Sequence, residues 1–264
     1  MESEEALRGS RFRPGSGPWL ALAGPAALIL LWAALASLRL FPPSLFPHPW
    51  AVARGILAEL RSGRLLSDAI ASLFRVTVGF LLAVVLGVPA GLLLGRSELA
   101  RRAFLPLVNF FRSLSPLAWI PFAILWLGIG DPPAIFLIFM AALFPVILST
   151  AAAVANIPSV YFRVARDLGI EGTDLLKEVT LPAIAPQVIT ALRVTAGLSW
   201  LVVVAAEMIA GRDGLGFAVW DARNGLRIDL LAASMVVIGL IGVALDRLLV
   251  RLTRIPSVRW GYER

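Results

Sequence analysis

The chain alternates between long apolar blocks and shorter polar connections. Six of the blocks are long enough to cross a bilayer, since a helix needs about 20 residues to span the hydrocarbon core. They are Trp19–Leu38 and about Ile70–Leu94, Phe104–Leu127, Ala134–Ala153, Ile184–Ile209 and Leu230–Leu249. The pattern predicts an all-α, polytopic membrane protein with about six transmembrane helices. Residues 19–250 would form one transmembrane domain between two tails, 1–18 and 251–264.

Composition excludes several other classes of protein. Hydrophobic residues make up 59% of the chain and charged residues 16%, whereas charged residues reach about 25% in soluble domains. The spans leave no room for a nucleotide-binding domain. The first block is followed by Arg39 and two prolines rather than by a small-residue cleavage site, so we interpret it as a retained span. The chain has no cysteine, and its one histidine, His48, has no acid or thiol at ligand spacing, so no metal site is predicted.

The net charge of +7 does not indicate a nucleic-acid surface, because the basic residues are distributed as in membrane proteins. Both tails, the second-to-third connection and the fourth-to-fifth connection together hold 13 Lys and Arg side chains, and the opposite connections hold 6. Under the positive-inside rule, both termini and the fourth-to-fifth connection lie in the cytoplasm. The partner predicted by this distribution is the lipid bilayer, and no nucleic acid is expected.

Two local patterns concern packing. After a proline-rich stretch, Phe41–Trp50, a short amphipathic helix is predicted from Trp50 to about Leu60. In the second span, Gly87, Gly91 and Gly95 recur every four residues. Such spacing gives a helix one face without side chains, which a second helix can approach closely.

The third block is interrupted by prolines at positions 106, 116 and 121, and Arg112 lies near its middle. Broken helices at membrane depth usually line a cavity, and an arginine at a helix centre costs about 2.5–3.5 kcal/mol on insertion scales. Two interpretations are open. Arg112 faces a solute pathway and attracts an anion, or it pairs with Glu207 of the fifth span or with carbonyls freed by Pro116. For Glu207, an ion pair or a place near the outer mouth is favoured over a proton relay, because the interior of the fifth span offers no histidine and no second acid.

The connection between the fourth and fifth spans, about residues 154–183 and called the charged loop below, is patterned like a helix. Val164 and Leu168 share one face of a first helix, which Gly169 can end in a left-handed cap. Because a connection between spans need not be amphipathic, this one is predicted to be held by something outside the bilayer. A helix lying among lipid headgroups is the alternative. The mixed charge disfavours it, since acids would face anionic lipid as often as bases: Arg163, Arg166, Asp167, Glu171, Asp174, Lys177 and Glu178.

A second short helix is predicted after Gly169. Thr173 would cap it, with Asp174 near the positive end of the helix dipole. Its apolar side would consist of Leu175, Leu176 and Val179. Pro182 is predicted to force Leu181 out of helical geometry, so that the chain turns there into the fifth span.

The run ARDLGIEGTDLLKEVTLPAIAP resembles the cytoplasmic signature loop of the membrane subunits of bacterial ATP-binding-cassette (ABC) importers. Ala165, Gly169, Leu181 and Pro182 stand at its characteristic positions. Three further stretches agree: Ser72–Gly95, Asn109–Asp131 and Ala205–Asn224. Together they resemble the subgroup that serves aliphatic sulfonates, taurine, nitrate and bicarbonate, and the resemblance covers nearly the whole chain after about Phe46.

The resemblance implies the type I ABC importer permease fold in a bacterial cytoplasmic (inner) membrane. Two copies of the chain would sit on a dimer of ATPase subunits and receive solute from an extracytoplasmic binding protein. ATP and Mg²⁺ would be held by the ATPase, so this chain would bind no cofactor and have no catalytic site of its own. The charged loop would dock the ATPase through Arg163, Ala165, Arg166, Asp167, Gly169, Glu171, Thr173, Asp174, Leu175, Leu176, Leu181 and Pro182. The family usually has a glutamate at Arg163, so Asp167, Glu171 or a changed charge on the ATPase would supply that contact.

The solute pathway is predicted at the interface between the two copies, lined by the third and fifth spans. Polar or amphipathic side chains cluster in these spans: Arg112, Ser113, Ser115, Ser199, Trp200 and Glu207. Hydroxyl groups and an arginine can donate hydrogen bonds to the oxygens of a sulfonate or nitrate. Ordinary contacts between helices would use the same groups, so both interpretations stay open.

An ion-gradient-driven secondary transporter or channel is the alternative function. It predicts intramembrane acid pairs or an inverted repeat, and neither is evident. A membrane-embedded enzyme would need clustered His, Asp or Ser side chains near one membrane face, and the single histidine lies in an outer connection.

Overall fold

The computed structural model describes residues 18–42 and 44–252, and its regular elements are helices. In chain order these are α1 (Pro18–Ser37), α2 (Pro49–Arg61), α3 (Arg64–Arg96), α4 (Glu98–Ser113), α5 (Ile120–Leu127), α6 (Asp131–Ala155), α7 (Ser159–Asp167), α8 (Gly172–Ala210), α9 (Leu215–Asn224) and α10 (Ile228–Leu252). The basic residues predicted for the two tails lie outside the described residues, apart from Arg251: Arg8, Arg11, Arg13, Arg254, Arg259 and Arg264.

Among the residues that the structure describes, four helices are long and apolar enough to cross a membrane: α3, α6, α8 and α10. The bent pair of α4 and α5 is a fifth candidate if it counts as one span. Helix α1 has 20 residues, of which Ala23–Ser37 form a shorter apolar helix. The predicted all-α membrane architecture is confirmed, with six as an approximate count of spans. The short helix predicted at Trp50 is α2, whose first turn His48 caps by accepting a hydrogen bond from the Trp50 N–H.

Helices α3 and α6 run parallel and pack closely along the glycine face of α3. The contacts are Gly87 with Val146, Gly91 with Thr150 and Gly95 with Val154. A Cβ atom at Gly91 would lie 2.5 Å from Thr150 Cβ, so a larger residue would push the helices apart. The close-approach face predicted from the glycine spacing is therefore confirmed.

Helix α8 runs antiparallel to this pair, from the last turn of α3 back towards its first turns. Its last turns reach the beginnings of α3 and α6, where Arg75 contacts both Asp131 and Glu207. Helix α10 packs beside α8, and the Trp200 Nε1–H donates a hydrogen bond to the Ile238 carbonyl at 3.2 Å. We call the end that carries the charged loop the loop end. The opposite end, where α2 and α9 also lie, is the far end.

The predicted interruption of the third block is confirmed, and the structure locates it. Helix α4 continues through Pro106 and ends at Ser113. A 3₁₀ turn, Pro116–Trp119, then leads into α5, and the segment formed by this turn and α5 is bent by 85° relative to α4. Proline is tolerated in the first turn of a helix because its missing N–H has no partner there anyway. Pro116 and Pro121 occupy such positions, so the break falls before Pro116.

The charged loop begins with α7, which ends as predicted in a left-handed glycine cap. Gly169 has φ +71°, its N–H donates to the Arg166 carbonyl at 3.0 Å, and the Ile170 N–H donates to the Ala165 carbonyl at 2.8 Å. This pair of bonds is the Schellman motif, which satisfies the last carbonyls of a helix. The chain is thereby redirected into α8 within a few residues.

Two predictions about the rest of the charged loop are wrong. The helix begins at Gly172 with Glu171 at the N-cap position, so Thr173 is not the cap. Leu181 is helical, with φ −62° and ψ −47°, and the chain does not turn at Pro182. A π-helical segment, Leu175–Thr180, precedes the proline, and hydrogen bonds that reach five residues back, such as Leu181 N–H to the Leu176 carbonyl, keep the helix continuous.

Candidate functional site

The charged loop presents an unpaired charged surface. Its seven charged side chains between positions 163 and 178 are all exposed. Within the part of the chain that the structure describes, none of the seven forms an ion pair. Exposed charges stay solvated at little cost, so the surface is stable alone and also available to a partner.

An open apolar groove lies beside these charges. Val164 of α7 and Leu168, which directly follows α7, line one wall, and Val179 and Pro182 of α8 line the other. Leu168 is 70% exposed although it is a large apolar residue. Of the predicted docking residues, the buried Ala165 and the exposed Pro182 line the groove. Leu175 and Leu176 are half-buried, and the others are exposed elsewhere on the charged loop. Charges around an apolar groove are typical of a surface that another protein covers.

The charged loop is also tied to the spans. The buried Thr180 hydroxyl donates to the Leu175 carbonyl at 3.1 Å and accepts a hydrogen bond from the Arg96 guanidinium at 3.2 Å. Arg96 lies in the last turn of α3. The π-helical segment is therefore connected to the pair of α3 and α6.

A cleft of about 590 Å³ opens where α4 is broken. Arg112 and Ser115 line it together with Phe144 of α6 and Leu198 of α8. Phe144 lies near the middle of the 25 residues of α6, about 18 Å from either end at 1.5 Å per residue, so the cleft is at mid-depth. Arg112 is exposed there and has no ion pair among the described residues.

The other pathway candidates are not brought to the cleft. The Ser113 hydroxyl donates to the Asn109 carbonyl one turn back, at 2.9 Å. Ser199, Trp200 and Glu207 are buried inside the subunit. Glu207 pairs with Arg75 and not with Arg112, so the predicted pairing of Arg112 with Glu207 is wrong. Arg112 is instead exposed at the cleft.

Arg75 is the centre of a buried cluster at the far end. We call Ser72, Arg75, Asp131, Glu207 and Asp213 the Arg75 cluster. The guanidinium donates to Asp131 at 2.6 Å, to Glu207 at 2.7 Å and to the Asp213 carboxylate, and also to the Asp213 carbonyl at 2.9 Å. The side chains of Arg75 and Glu207 are 2% and 0% exposed, whereas those of Asp131 and Asp213 are 52% and 56% exposed.

The other oxygen of Glu207 is held from two sides. It accepts hydrogen bonds from the Ser72 hydroxyl at 2.8 Å and from the Gly216 N–H at 2.9 Å. Nearby, the Leu215 N–H donates to the Ser72 hydroxyl and the Gly214 N–H donates to Asp68. The first N–H groups of α9, which have no partner within the helix, are thus bonded to side chains of α3 and α8.

Sequence reasoning missed the Arg75 cluster, although one signal for it was present. Arg75 is a charged residue within an apolar block, where an unpaired charge is costly, so it required a partner. The prediction that Glu207 forms an ion pair is confirmed, with a different arginine.

Comparison with known proteins identifies the family. Residues 83–255 match the model of the binding-protein-dependent transport system inner membrane component. A putative ABC transporter permease protein of Methanocaldococcus jannaschii is 37% identical over 228 residues, which are 84% of this chain and 85% of that protein. The nitrate import permease protein NrtB of Leptolyngbya laminosa is 42% identical over 178 residues, 67% of this chain and 64% of that protein. The bicarbonate transport system permease protein CmpB of Synechococcus elongatus is 39% identical over 188 residues, 71% of this chain and 68% of that protein.

The solved structures agree at the level of fold. An inward-facing structure of the MetNI methionine ABC transporter aligns with a TM-score of 0.58 and 23% identity, covering 74% of this chain and 99% of that chain. At this identity the likeness concerns the type I permease fold and not the solute. The chain therefore belongs to the family of binding-protein-dependent transport system inner membrane components and is a permease component of an ABC importer.

Proposed function

We propose that this permease imports a small oxyanion, an organic sulfonate or else taurine, nitrate or bicarbonate. An extracytoplasmic binding protein delivers the anion, and partner ATPase subunits that hold ATP and Mg²⁺ drive its import. The observation that carries the proposal is the charged loop, which holds an open apolar groove and seven exposed charges that form no ion pair with any residue the structure describes.

Docking of an ATPase at the charged loop follows from that surface. An ATPase side chain in the groove would cover Val164 and Leu168, and the exposed acids Asp167 and Glu171 are available to a basic residue of the ATPase. Arg163 favours an acidic residue opposite it. The Schellman cap at Gly169 keeps α7 in a fixed direction, so α7 can transmit a displacement where an irregular loop could not.

The nature of the solute is supported by the cleft. Arg112 offers a positive charge at mid-depth, and Ser115 offers a hydroxyl, against walls that are otherwise mostly apolar. Charged donors bind carboxylate, sulfonate or nitrate oxygens more strongly than neutral donors do. Two of the relatives are named as permeases for nitrate and for bicarbonate, which are both small anions, in agreement with this chemistry.

The proposed assembly has two copies of the chain, with both termini and the charged loop in the cytoplasm. The charge distribution supports this orientation, since the charged loop and the connection after α3 are rich in Arg and Lys. The far end then faces the binding protein.

Uptake of labelled taurine and of nitrate into vesicles that contain the complete transporter tests the proposal. We expect uptake to require ATP on the charged-loop side and a soluble binding protein on the other. Uptake driven by a proton gradient, without ATP or a soluble partner, would overturn it.

Replacement of Arg112 tests the pathway. In Arg112→Ala, we expect uptake to fall at least about tenfold at normal expression, because the charged hydrogen bonds to the anion, each about 1.5–3 kcal/mol, are lost. The control is Arg102→Ala. Arg102 does not line the cleft, and its guanidinium pairs with the Glu98 carboxylate at a distance of 2.7 Å. Equal uptake by the two variants would remove Arg112 from the pathway.

A further inference from the structure

A narrow groove lies between α8 and α10, and α3 also lines it. The cavity in this groove has a volume of about 190 Å³. Its walls are mostly apolar and include Phe80 of α3, Gly197 of α8 and Leu245 of α10. Leu81 and Leu248, which also line it, are 53% and 57% exposed. The groove is therefore open to the surface of the bundle, where lipid can enter it.

An ion pair lies in this groove. Arg193 of α8 and Asp246 of α10 both line the cavity, and the guanidinium donates to the two carboxylate oxygens at 2.7 and 2.9 Å. Their side chains are 40% and 52% exposed. Charged side chains within membrane spans normally face the interior of the bundle or a water-filled cavity. The exposure of this pair therefore points to contact with the polar headgroup layer of the bilayer.

The depth of the ion pair agrees with such contact. Arg193 lies about 26 Å from the far end of α8, and Asp246 lies about 27 Å from the far end of α10, at 1.5 Å per residue. An exposed arginine flanks each of these far ends, Arg212 after α8 and Arg227 before α10. Since the hydrocarbon core is about 30 Å thick, the ion pair lies close to the opposite boundary of the core, at the loop end.

From the ion pair, the groove runs along α8 towards the middle of the bilayer. It is closed there by Trp200 and Gly242, since a Cβ atom on the glycine would lie 3.1 Å from Trp200 Nε1. Trp200 lies about 10 Å along the helix from Arg193. An apolar cavity of about 150 Å³ is large enough to bind benzene, so this one can hold several methylene groups. A charged group at the boundary above an apolar groove is the arrangement that a phospholipid requires.

The charges of the pair select the headgroup. Because the site holds one positive and one negative group, it favours a headgroup that carries both signs over an anionic one. A carboxylate offers about four acceptor positions, and Arg193 donates two hydrogen bonds to Asp246, so the carboxylate can also accept from an ammonium. Phosphatidylethanolamine carries a phosphate for the arginine and an ammonium with N–H donors for the aspartate.

We propose that this groove binds a phosphatidylethanolamine molecule from the leaflet at the loop end. Arg193 binds the phosphate, Asp246 binds the ammonium, and part of an acyl chain fills the cavity beside Gly197. In the proposed orientation this is the cytoplasmic leaflet, but the binding site itself does not depend on that orientation.

Native mass spectrometry of the full-length chain, with dioleoyl phospholipids added separately, tests the choice of headgroup. We expect the first phosphatidylethanolamine to bind at least about tenfold more tightly than the first phosphatidylcholine, whose trimethylated ammonium has no N–H to donate to Asp246. The anionic phosphatidylglycerol should also bind more weakly than phosphatidylethanolamine. Equal binding of phosphatidylethanolamine and phosphatidylcholine, or tighter binding of phosphatidylglycerol, would overturn the inference.

Filling the cavity tests the place of the acyl chain. Gly197 lines the groove, and a Cβ atom there would meet no atom within 4 Å, so Gly197→Leu can place its side chain in the cavity without displacing its neighbours. We expect phosphatidylethanolamine to bind at least about tenfold more weakly, because buried methylene groups of the lipid are displaced. The matched control is Gly239→Leu, since Gly239 of α10 also has open space but does not line the cavity. Unchanged binding in Gly197→Leu, or an equal loss in both variants, would contradict the proposed site.

A third variant distinguishes a lipid site from an ion pair that only joins α8 to α10. Asp246→Asn removes the negative charge and makes the site net positive, so we expect the preference to change from phosphatidylethanolamine to phosphatidylglycerol. The control is Glu98→Gln, because Glu98 is an acid at the loop end that pairs with Arg101 and Arg102 outside the groove. A preference that stays with phosphatidylethanolamine in Asp246→Asn, or that changes equally in Glu98→Gln, would show that the pair does not bind the headgroup. Because lipid binding needs no ATP, ATPase, binding protein or solute, its outcome is independent of the uptake experiment that tests the proposed function.

Discussion

The Arg75 cluster at the far end and the charged loop at the loop end satisfy their charged groups in opposite ways. At the far end, all three nitrogens of the Arg75 guanidinium and both oxygens of Glu207 have partners within the subunit. At the loop end, the charges of the charged loop are exposed, and none of them is paired within the described ranges 18–42 and 44–252. The comparison teaches that the Arg75 cluster is completed within the subunit, while the charged loop offers contacts that the described part of the chain does not use.

The largest expected effect tests the buried side of this comparison. Arg75→Leu leaves Glu207 buried without its partner, and we expect a loss of about 3–5 kcal/mol in the free energy of unfolding. Arg64→Leu removes a half-exposed arginine that pairs with Asp221 and, at 3.8 Å, with Asp68, and we expect a loss of at most about 1 kcal/mol. Denaturant unfolding in micelles measures both, and similar losses would mean that burial does not distinguish the two pairs.

The second-largest expected loss of stability concerns the close packing of α3 against α6. Gly91→Ala places a Cβ atom 2.5 Å from Thr150 Cβ, and we expect a loss of about 1–3 kcal/mol from overpacking. Gly239→Ala in α10 meets no atom within 4 Å, and we expect a slight gain from the higher helix propensity of alanine. The same unfolding measurement checks both, and tolerance of Gly91→Ala would contradict the rigid pairing of α3 and α6.

A smaller effect is expected where the charged loop meets the spans. Thr180→Val removes the hydroxyl that bridges Arg96 and the Leu175 carbonyl, and we expect a loss of about 1 kcal/mol. Thr190→Val is the matched control, since the Thr190 hydroxyl donates to the Pro186 carbonyl within the same helix. Hydrogen exchange at residues 175–180 should rise in the first variant only.

The smallest effect on stability is expected on the open side of the comparison. Leu168→Ser and Leu99→Ser each remove a leucine at the loop end, 70% and 81% exposed, and we expect changes within about 0.5 kcal/mol. Only Leu168 lines the groove of the charged loop, so only Leu168→Ser should reduce copurification of the ATPase. Full copurification of the ATPase with Leu168→Ser would show that the groove does not take part in docking.

The difference between the two ends also explains what the sequence could predict. The cap at Gly169 and the apolar face of α7 depend on neighbours within a few residues, so local pattern was sufficient. Arg75 and Glu207 are 132 positions apart, and several arginines in or near the spans were available to Glu207. Choosing among them required the packing of α3 against α6 and α8, which no local pattern contains.

The error at Pro182 has a different cause. Proline disfavours helical geometry in the residue before it, and in an ordinary α-helix its ring also clashes with the carbonyl four residues back. The π-helical segment before Pro182 changes the bonding pattern, so Leu181 remains helical and α8 enters the membrane without a turn. Propensity rules for single residues do not predict where a helix changes to π-helical hydrogen bonding.

The continuity of α8 has a mechanical consequence. Its 39 residues form a rod about 58 Å long at 1.5 Å per residue, with no loop between the charged loop and the far end. Pivoting the rod at Gly172 by about 5° would carry Ala210 sideways by about 5 Å, which exceeds the length of an ion pair. A small displacement at the loop end is thus geometrically sufficient to separate groups at the far end.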